Sequence, residues 1–540
     1  MDVIKSKGLL DTVICIWSVV LKQDATELHP DTHFLLQGGD SLQLARILAR
    51  IRAELGVNLP LGELSSFSTP RKMACCCEAS LLRVSPLGQS CGEKTDAGTV
   101  LQGGAAELLY PATGMQQGLW YAEQLGAIGS LYSNAVLIHF SGSLQVPLLR
   151  KSVCALFARF PLLGSRFQLD IRNRVLSGVL PGTGEEGAWR DLEVISCNNV
   201  ELYSRVKKIL AQPCNFAEGG LFRCVLFITA EQQCHLLLCC HHLICDGWSG
   251  GLLLQTLASC YSILLDSDCE PVIKADTAFR DYALRERASC SAVNGQDIAW
   301  WRGQLAGAEL AQQWIWQRNM AASWPHRVQH TRLGIPASVL EDCKRNARQT
   351  NVSLFTYMQL ACKLALQRFS GVDDQVLGIP VTERELQEES SVGCYLRMLV
   401  ARTCFTGAST FAELLEQEAK FFQSARQRLI PLNLLARELQ PCLLPDGNAW
   451  FSVLFAYQNY PEHTCMWNGL DVTVETVHPC LGQFALKFEI LPGCNSWLLQ
   501  LEYAQGLFSQ QQVHELGMLF LSILEHQPLH QLVPATGTYW

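Results

Sequence analysis

The chain has 540 residues, 49% of them hydrophobic and 17% charged, with a formal net charge of −8. That composition excludes a disordered polyelectrolyte and argues against a nucleic-acid-binding face. The length implies about two to four domains rather than one core. No basic run occurs, and apolar runs such as "HLLLCC" and "LFLSIL" are too short to span a bilayer.

The first apolar stretch is broken by Asp11 and Ser18, and no small-residue cleavage site follows it. It reads as an amphipathic helix, over 9–22, of a cytoplasmic protein. The 24 cysteines follow no framework spacing. Most keep apolar company, as in Ile14-Cys15-Ile16, Leu238-Cys239 and Ala361-Cys362, and are expected to be reduced, buried small hydrophobes. A helix is predicted after Asp40, where Leu44, Ile47, Leu48, Ile51 and Leu55 recur at helical spacing. Asp40 is its candidate N-cap, with Ser41 at its start. A further helix begins at Thr69-Pro70 and carries Met73, Cys76, Cys77 and Leu81. Residues 1–83 thus read as a small helical unit. Residues 84–107, rich in Gly, Ser and Thr and without periodicity, read as a flexible linker.

From about residue 108 to 528, strands alternate with helices. "NAVLIHFSG", "FRCVLFITA", "WFSVLFAYQNY", "FALKFEIL" and "WLLQLEYA" read as strands. "VPLLRKSVCALFARF", "GGLLLQTLASCYSILL" and "SLFTYMQLACKLALQRFSG" read as helices. An α/β body of this size calls for two lobes, here 108–285 and 286–530, with a tail at 531–540.

The stretch Cys234–Gly251, "CHLLLCCHHLICDGWSGG", admits three readings. A strand through it puts Cys234, Leu236, Leu238, Cys240 and His242 on one face and His235, Leu237, Cys239 and His241 on the other. A metal site would find its ligands split, so no metal is expected. Gly247-Trp248-Ser249-Gly250-Gly251 matches the hydrolase form G-x-S-x-G. However, six residues separate the strand-like run from Ser249, and no oxyanion stretch precedes it. Ser249 is instead expected to cap the following helix. The third reading is a strand-end His with an Asp four residues on and a Gly beside it, able to supply a base, a fixed charge and a close backbone approach.

Two resemblances bear on these readings. An ~80-residue helical unit with "FLLQGGDSLQLARI" at its centre resembles the peptidyl carrier domain of nonribosomal peptide synthetases, a small four-helix bundle. That implies 4′-phosphopantetheine on Ser41, beside Asp40, and a phosphopantetheinyl transferase as partner. His241-His242 through Asp246-Gly247 is the HHxxxDG signature of condensation domains of the same synthetases. "YPATGMQQGLWYAEQL", "LFARFPLLGSRF", "FRDYALRE", "AWWRGQLAG", "GIPVTER", "VGCYLRMLVAR", "RLIPLNLLARELQ" and "WFSVLFAYQN" are similar to other motifs of that family, in order. The resemblance implies an α/β condensation domain of two chloramphenicol-acetyltransferase-like lobes in a V. It implies amide formation between a carrier-bound acyl or peptidyl donor and an amine.

The catalytic group implied is His242, Asp246, Gly247 and His241. His242 would act as base or orient the amine and the tetrahedral intermediate, Gly247 N–H would be an oxyanion donor, and His241 would pack. Arg384, in "GIPVTER", is the expected ion-pair partner of Asp246. Trp248, Ser249 and Arg397 are candidates for the substrate tunnel, Arg397 standing where the family usually has Asn. The partners implied are an upstream adenylation or synthase module that loads Ser41 and a downstream carrier or free amine, with no nucleic acid and no membrane. The linker would hold the donor near the site at an effective concentration of order mM. Two alternatives are an epimerisation domain, whose acidic-Gly-His-Gly motif is absent here, and a degenerate fold that only docks carriers.

Overall fold

The computed structural model describes residues 8–536 apart from 22, 27, 32–46, 48–49, 52–53, 56, 58–68, 84–107, 127–130, 171–174, 182–191, 230–232, 267–272, 318, 320–325, 459–466, 479 and 494–496. Asp40, Ser41, Leu44, Leu48 and the 84–107 segment lie outside the described residues.

Near the start, helices α1 (Leu9–Leu21) and α2 (Pro70–Arg83) pack on each other. Val13, Ile16 and Trp17 of α1 join Ile47, Ile51, Leu55, Met73 and Cys77 in one small core. Thr69 caps α2, its Oγ1 accepting the Lys72 N–H at 3.2 Å. Cys15 corrects the expectation drawn from apolar neighbours. It is exposed, because residues adjacent in a helical sequence point to different faces, while Val13 and Ile16 are buried. Cys75, Cys154, Cys404, Cys442 and Cys480 are exposed as well, whereas Cys239 and Cys362 are buried as expected.

The body opens with β1 (Leu108–Pro111), α3 (Gly114–Gly126), β2 (Ser133–Ser141) and α4 (Val146–Arg159). It continues through β3 (Arg166–Asp170), β4 (Val175–Leu180), β5 (Glu193–Cys197), α5 (Asn199–Leu210), β6 (Phe222–Thr229) and β7 (Cys234–His241). Two long helices, α6 (Gly247–Asp266) and α7 (Ala278–Ser291), follow. The boundary placed by sequence at 285/286 falls inside α7.

The second half runs α8 (Gly295–Leu305), β8 (His326–Ile335), α9 (Ala337–Gln349), α10 (Leu354–Ser370), β9 (Asp374–Thr382) and β10 (Leu396–Cys404). Then come α11 (Phe411–Gln427), α12 (Leu432–Leu439), β11 (Val453–Tyr457), β12 (Asp471–Val477), β13 (Leu481–Gly482), β14 (Leu486–Leu491), β15 (Trp497–Ala504) and α13 (Gln510–His526).

Two large sheets organise these elements. The first has the order β12-β2-β7-β6-β5 and the second β10-β9-β11-β14-β15-β8-β13; a small sheet, β1-β4-β3, stands apart. Strand β7 is buried along its whole length. Cys234, Leu236, Leu238 and Cys240 enter the core shared with α4 and α6, and Leu237 and Cys239 enter the core beneath α5. A sheet covered on both faces needs a continuous apolar run, and period-2 alternation divides that run between the faces. The cysteines of β7 are therefore wall material for two cores.

The two halves are not separate in space. Strand β12, late in the chain, pairs antiparallel with β2 from Asp471↔Ser141 to Val477↔Ala135 and completes the first half's sheet. Helix α6 is long and apolar enough to pass for a membrane-spanning helix, which the sequence reading of apolar runs did not register. It lies against α4, with Leu253, Leu257, Ala258 and Tyr261 buried.

Candidate functional site

Strand β7 ends at His241, and the chain turns through His242–Cys245 into α6. Every arm of this turn is tied down. The His242 N–H donates to the Tyr132 carbonyl at 2.7 Å, and Gln116 Nε2 donates to the Leu243 carbonyl at 2.6 Å. His242 Nδ1 lies 3.1 Å from the Cys245 carbonyl. A carbonyl only accepts, so Nδ1 carries the proton and Nε2 keeps its lone pair. Burial, and then the charges of His241 and Lys487, lower the His242 pKa to about 4. The ring is thus neutral at physiological pH. The folded value lies below the ordinary histidine value of 6.5, so the unfolded chain protonates first. Stability contributed by the neutral ring is therefore lost as pH falls from about 6.5 towards 4.

Asp246 anchors the turn. Its Oδ1 accepts the Ser249 N–H at 2.8 Å, which makes Asp246 the N-cap of α6. This corrects the expected cap: Ser249 sits inside the first turn. Arg384 Nη2 stands 3.1 Å from both Asp246 carboxylate oxygens, the partnership anticipated from sequence, and both side chains are only 3% exposed. The same carboxylate accepts the Tyr395 N–H at 3.2 Å. Arg384 lies over the Tyr395 ring, 4.1 Å from its centroid, and donates to the Glu388 and Ser391 carbonyls. The guanidinium therefore fastens β7's turn to the loop between β9 and β10.

Ser249 belongs to the same brace. Its Oγ contacts Asp246 Oδ1 and the Gly393 carbonyl, and accepts from the Gly393 N–H (3.0 Å) and Arg384 Nη2 (3.1 Å). It is fully buried and does not line the cavity. Neither the hydrolase role nor the tunnel role fits a hydroxyl so engaged. His241 is also fully buried. It accepts the Leu243 N–H at Nδ1 (3.1 Å), places Nε2 3.4 Å from Glu123, and packs edge-on against Tyr132 and Phe216. It supports the turn and does not reach the cavity.

His242, Asp246, Gly247 and Trp248 do line that cavity, a space of about 2030 Å³ bounded by both halves of the body. Gly247 is the first residue of α6. The N–H at that position has no intrahelical acceptor and lies at the positive end of the helix dipole. The arrangement therefore offers, on one wall, a neutral imidazole with an unprotonated, accepting nitrogen and a backbone donor for developing negative charge.

Arg397 also borders the cavity but is not free to seek a substrate. It is 5% exposed, contacts Glu383 closely, lies 3.3 Å from Glu286, and donates to the Leu429 carbonyl at 2.9 Å. Glu286 in turn accepts the Gly114 N–H at 2.7 Å, and Glu383 accepts the Tyr282 hydroxyl at 3.0 Å. Burial pushes both carboxyls up, and the guanidinium opposes this. The expected role in substrate contact is thus replaced by an internal one: Arg397 joins α7, β9 and β10. Sequence reading missed its partners, along with Gln116, Tyr132 and Gly393. Yet Glu286 and Tyr282 stand in the quoted "FRDYALRE", and a buried-side arginine requires carboxylates somewhere.

Two outcomes follow in chemical denaturation. Asp246→Ala should cost about 3–5 kcal/mol by stranding a buried guanidinium, and Asp246→Ala with Arg384→Met should cost clearly less. Equal losses would exclude the ion pair as the cause. Arg397→Asn should destabilise by a similar amount, on the order of 3–5 kcal/mol, with most of the loss recovered by adding Glu286→Gln and Glu383→Gln. A neutral Arg397→Asn variant would show that the two carboxyls are already protonated.

Comparison with known proteins places this geometry. Residues 106–532 match the condensation domain family, and residues 11–76 match the phosphopantetheine attachment site. The chain is 26% identical to a linear gramicidin synthase protein of Brevibacillus parabrevis over 526 residues, covering 95% of this chain and 10% of that protein. It is 24% identical to malpinin synthetase of Mortierella alpina, covering 94% of this chain and 6% of that one. The chain thus spans a tenth or less of the length of these relatives. Among solved structures, the first condensation domain of the CDA synthetase superposes with a TM-score of 0.63 at 20% identity, over 79% of this chain and 98% of that one. The X-domain from teicoplanin biosynthesis gives 0.64 at 18%, over 77% and 95%. These likenesses identify the architecture of the body as that of a condensation domain. With its profile match spanning 106–532 and an attachment-site match ahead of it, the chain belongs to the condensation domain family and carries a phosphopantetheine attachment domain before it.

Proposed function

We propose that this chain forms amide bonds in nonribosomal peptide synthesis. An acyl or peptidyl group held as a thioester on the phosphopantetheine of Ser41, or on another carrier, passes to an amine that is free or bound to a downstream carrier. The observation that carries the reading is His242: neutral, with Nδ1 committed to the Cys245 carbonyl and Nε2 left unprotonated, able to accept, on the wall of a cavity between the two halves. The amine attacks the thioester carbonyl. Nε2 takes or directs the amine proton, the Gly247 N–H favours the oxyanion, and the thiol leaves as the tetrahedral intermediate collapses. Asp246 and Arg384 are positioning residues that act through the turn.

The intact HHxxxDG turn favours turnover over a role limited to docking carriers. The division into a carrier over 1–83, a linker over 84–107, lobes over 108–285 and 286–530, and a tail is part of the same reading. So are a phosphopantetheinyl transferase and an upstream loading module as partners, and a cytoplasmic location.

The whole chain, incubated with a phosphopantetheinyl transferase and a panel of acyl-coenzyme A thioesters, should gain one acyl-phosphopantetheine on Ser41 by intact-mass and peptide spectrometry. Offered free and carrier-bound amines, it should release amide product. His242→Ala should load normally and lose about 10²–10⁴-fold in coupling rate. Absence of the Ser41 adduct, or coupling by His242→Ala at the wild-type rate, would contradict the proposal.

A further inference from the structure

We propose that the cavity wall built by β8, β15 and β14 is a carboxylate-binding subsite with Arg332 as its anchor. The chain would then be selective for a donor or acceptor residue bearing a carboxylate; this rests on the amide-forming reading above.

The register of the three strands sets six side chains in two rows on one face. His330 is opposite Glu502, which is opposite Lys487; Arg332 is opposite Gln500, which is opposite Glu489. The alternate residues Phe488 and Leu501 go to the core and are fully buried. Five of the six polar residues, all but His330, line the cavity that also holds His242, and Lys487 is close enough for its charge to lower the His242 pKa. A polar strand face is ordinarily a solvated one. Here the face is buried at its centre, where Glu489 and Gln500 are 8% and 3% exposed, while His330, Lys487 and Glu502 are half-buried and Arg332 is exposed. Burying Glu489 and Gln500 is costly unless they are paired or used.

Most of the six are paired. Glu489 accepts from Gln500 Nε2 (3.0 Å) and Gln458 Nε2 (2.5 Å) and lies 3.3 Å from Lys487 Nζ. Glu502 lies 3.0 Å from His330 Nε2. Arg332 is different. Its Nε donates to Gln500 Oε1 at 2.7 Å and its Nη2 to His478 Nε2 at 2.8 Å. Both acceptors are uncharged: Gln500 is an amide, and burial with the neighbouring His330 and Arg332 lowers the His478 pKa to about 4. Among the described residues, no carboxylate lies within ion-pair distance of Arg332, and its Nη1 has no hydrogen-bond partner.

The guanidinium is therefore held through Nε and Nη2 by neutral acceptors, without an ion-pair partner among the described residues, and as an exposed side chain on the cavity wall it leaves Nη1 available. Because His478 accepts at Nε2, its neutral ring carries a proton at Nδ1, a second donor on a residue that lines the same cavity. A planar fork with one edge occupied by neutral acceptors and the other open suits a carboxylate.

The test uses the whole chain and isosteric probe pairs, read by calorimetry. The donors are the pantetheine amides of N-acetylaspartate and N-acetylasparagine, and the acceptors are the free α-amides of aspartate and asparagine. In wild type and in His242→Ala alike, the carboxylate member of one pair should bind at least about ten-fold more tightly. Arg332→Gln should erase that difference without changing the thermal midpoint, and Arg332→Lys should restore part of it. Equal affinity within both pairs, or a preference that survives Arg332→Gln, would overturn the subsite. A phosphorylated N-acetylasparagine pantetheine amide that alone gains Arg332-dependent affinity would assign the arginine to the pantetheine phosphate and overturn the carboxylate. Because binding is read in a chain that need not turn over, failure of the subsite and failure of amide formation are separate results.

Discussion

A single buried ion pair, Asp246 with Arg384, fixes the geometry on which the site depends. The carboxylate caps α6, receives the Tyr395 N–H and faces the guanidinium, while Arg384 reaches the Glu388 and Ser391 carbonyls. One residue is thus bonded to a turn after β7, the other to a loop between β9 and β10. Two charges removed from water gain little net stability from each other, but either one left alone is severely penalised. The pair therefore acts as a constraint on position. It holds the turn so that His242 Nδ1 meets the Cys245 carbonyl, and this choice of tautomer leaves Nε2 as the reactive nitrogen.

Around that turn, the two halves share structure instead of merely touching. Strand β12 leaves the second half to complete the first half's sheet, and Arg397 ties α7 to β9 and β10 through Glu286 and Glu383. The cavity is consequently bounded by elements that cannot part without breaking strand pairing or exposing a charge network. Its walls differ in kind. Beside His242 the groups are committed to one another. Across β8, β15 and β14 the strand alternation brings charged and amide side chains to the cavity, and Arg332 has no ion-pair partner there among the described residues.

Much of this was legible in the sequence. Period-2 alternation located β2, β6, β7, β14 and β15, helical spacing located α1, α4, α6 and α10, and the HHxxxDG spacing singled out His242, Asp246 and Gly247. The Asp–Arg partnership was also foreseeable, because a buried carboxylate needs a cation. What stayed hidden depends on contacts between distant segments. The cap of α6 was misplaced by three residues because Ser249 and Asp246 are both good caps, and only the ladder end of β7 decides between them. Ser249 was also expected at the substrate tunnel, but Gly393, 144 residues away, engages its hydroxyl. Arg397 looked like a substrate contact because its carboxylates lie on α7 and at the end of β9. Cys15 looked buried because neighbours in sequence are not neighbours on a helix face.

If the anchored turn presents His242 as a neutral base with a defined tautomer, the ring's own titration must show it. A histidine-selective NMR titration of the whole chain reads this, with His242 assigned by its absence from the spectrum of His242→Ala. The His242 ring should stay neutral, protonated at Nδ1, down to a midpoint of about 4. A midpoint near the ordinary value of 6.5, or a ring protonated at Nε2 in the neutral form, would contradict that role for the turn.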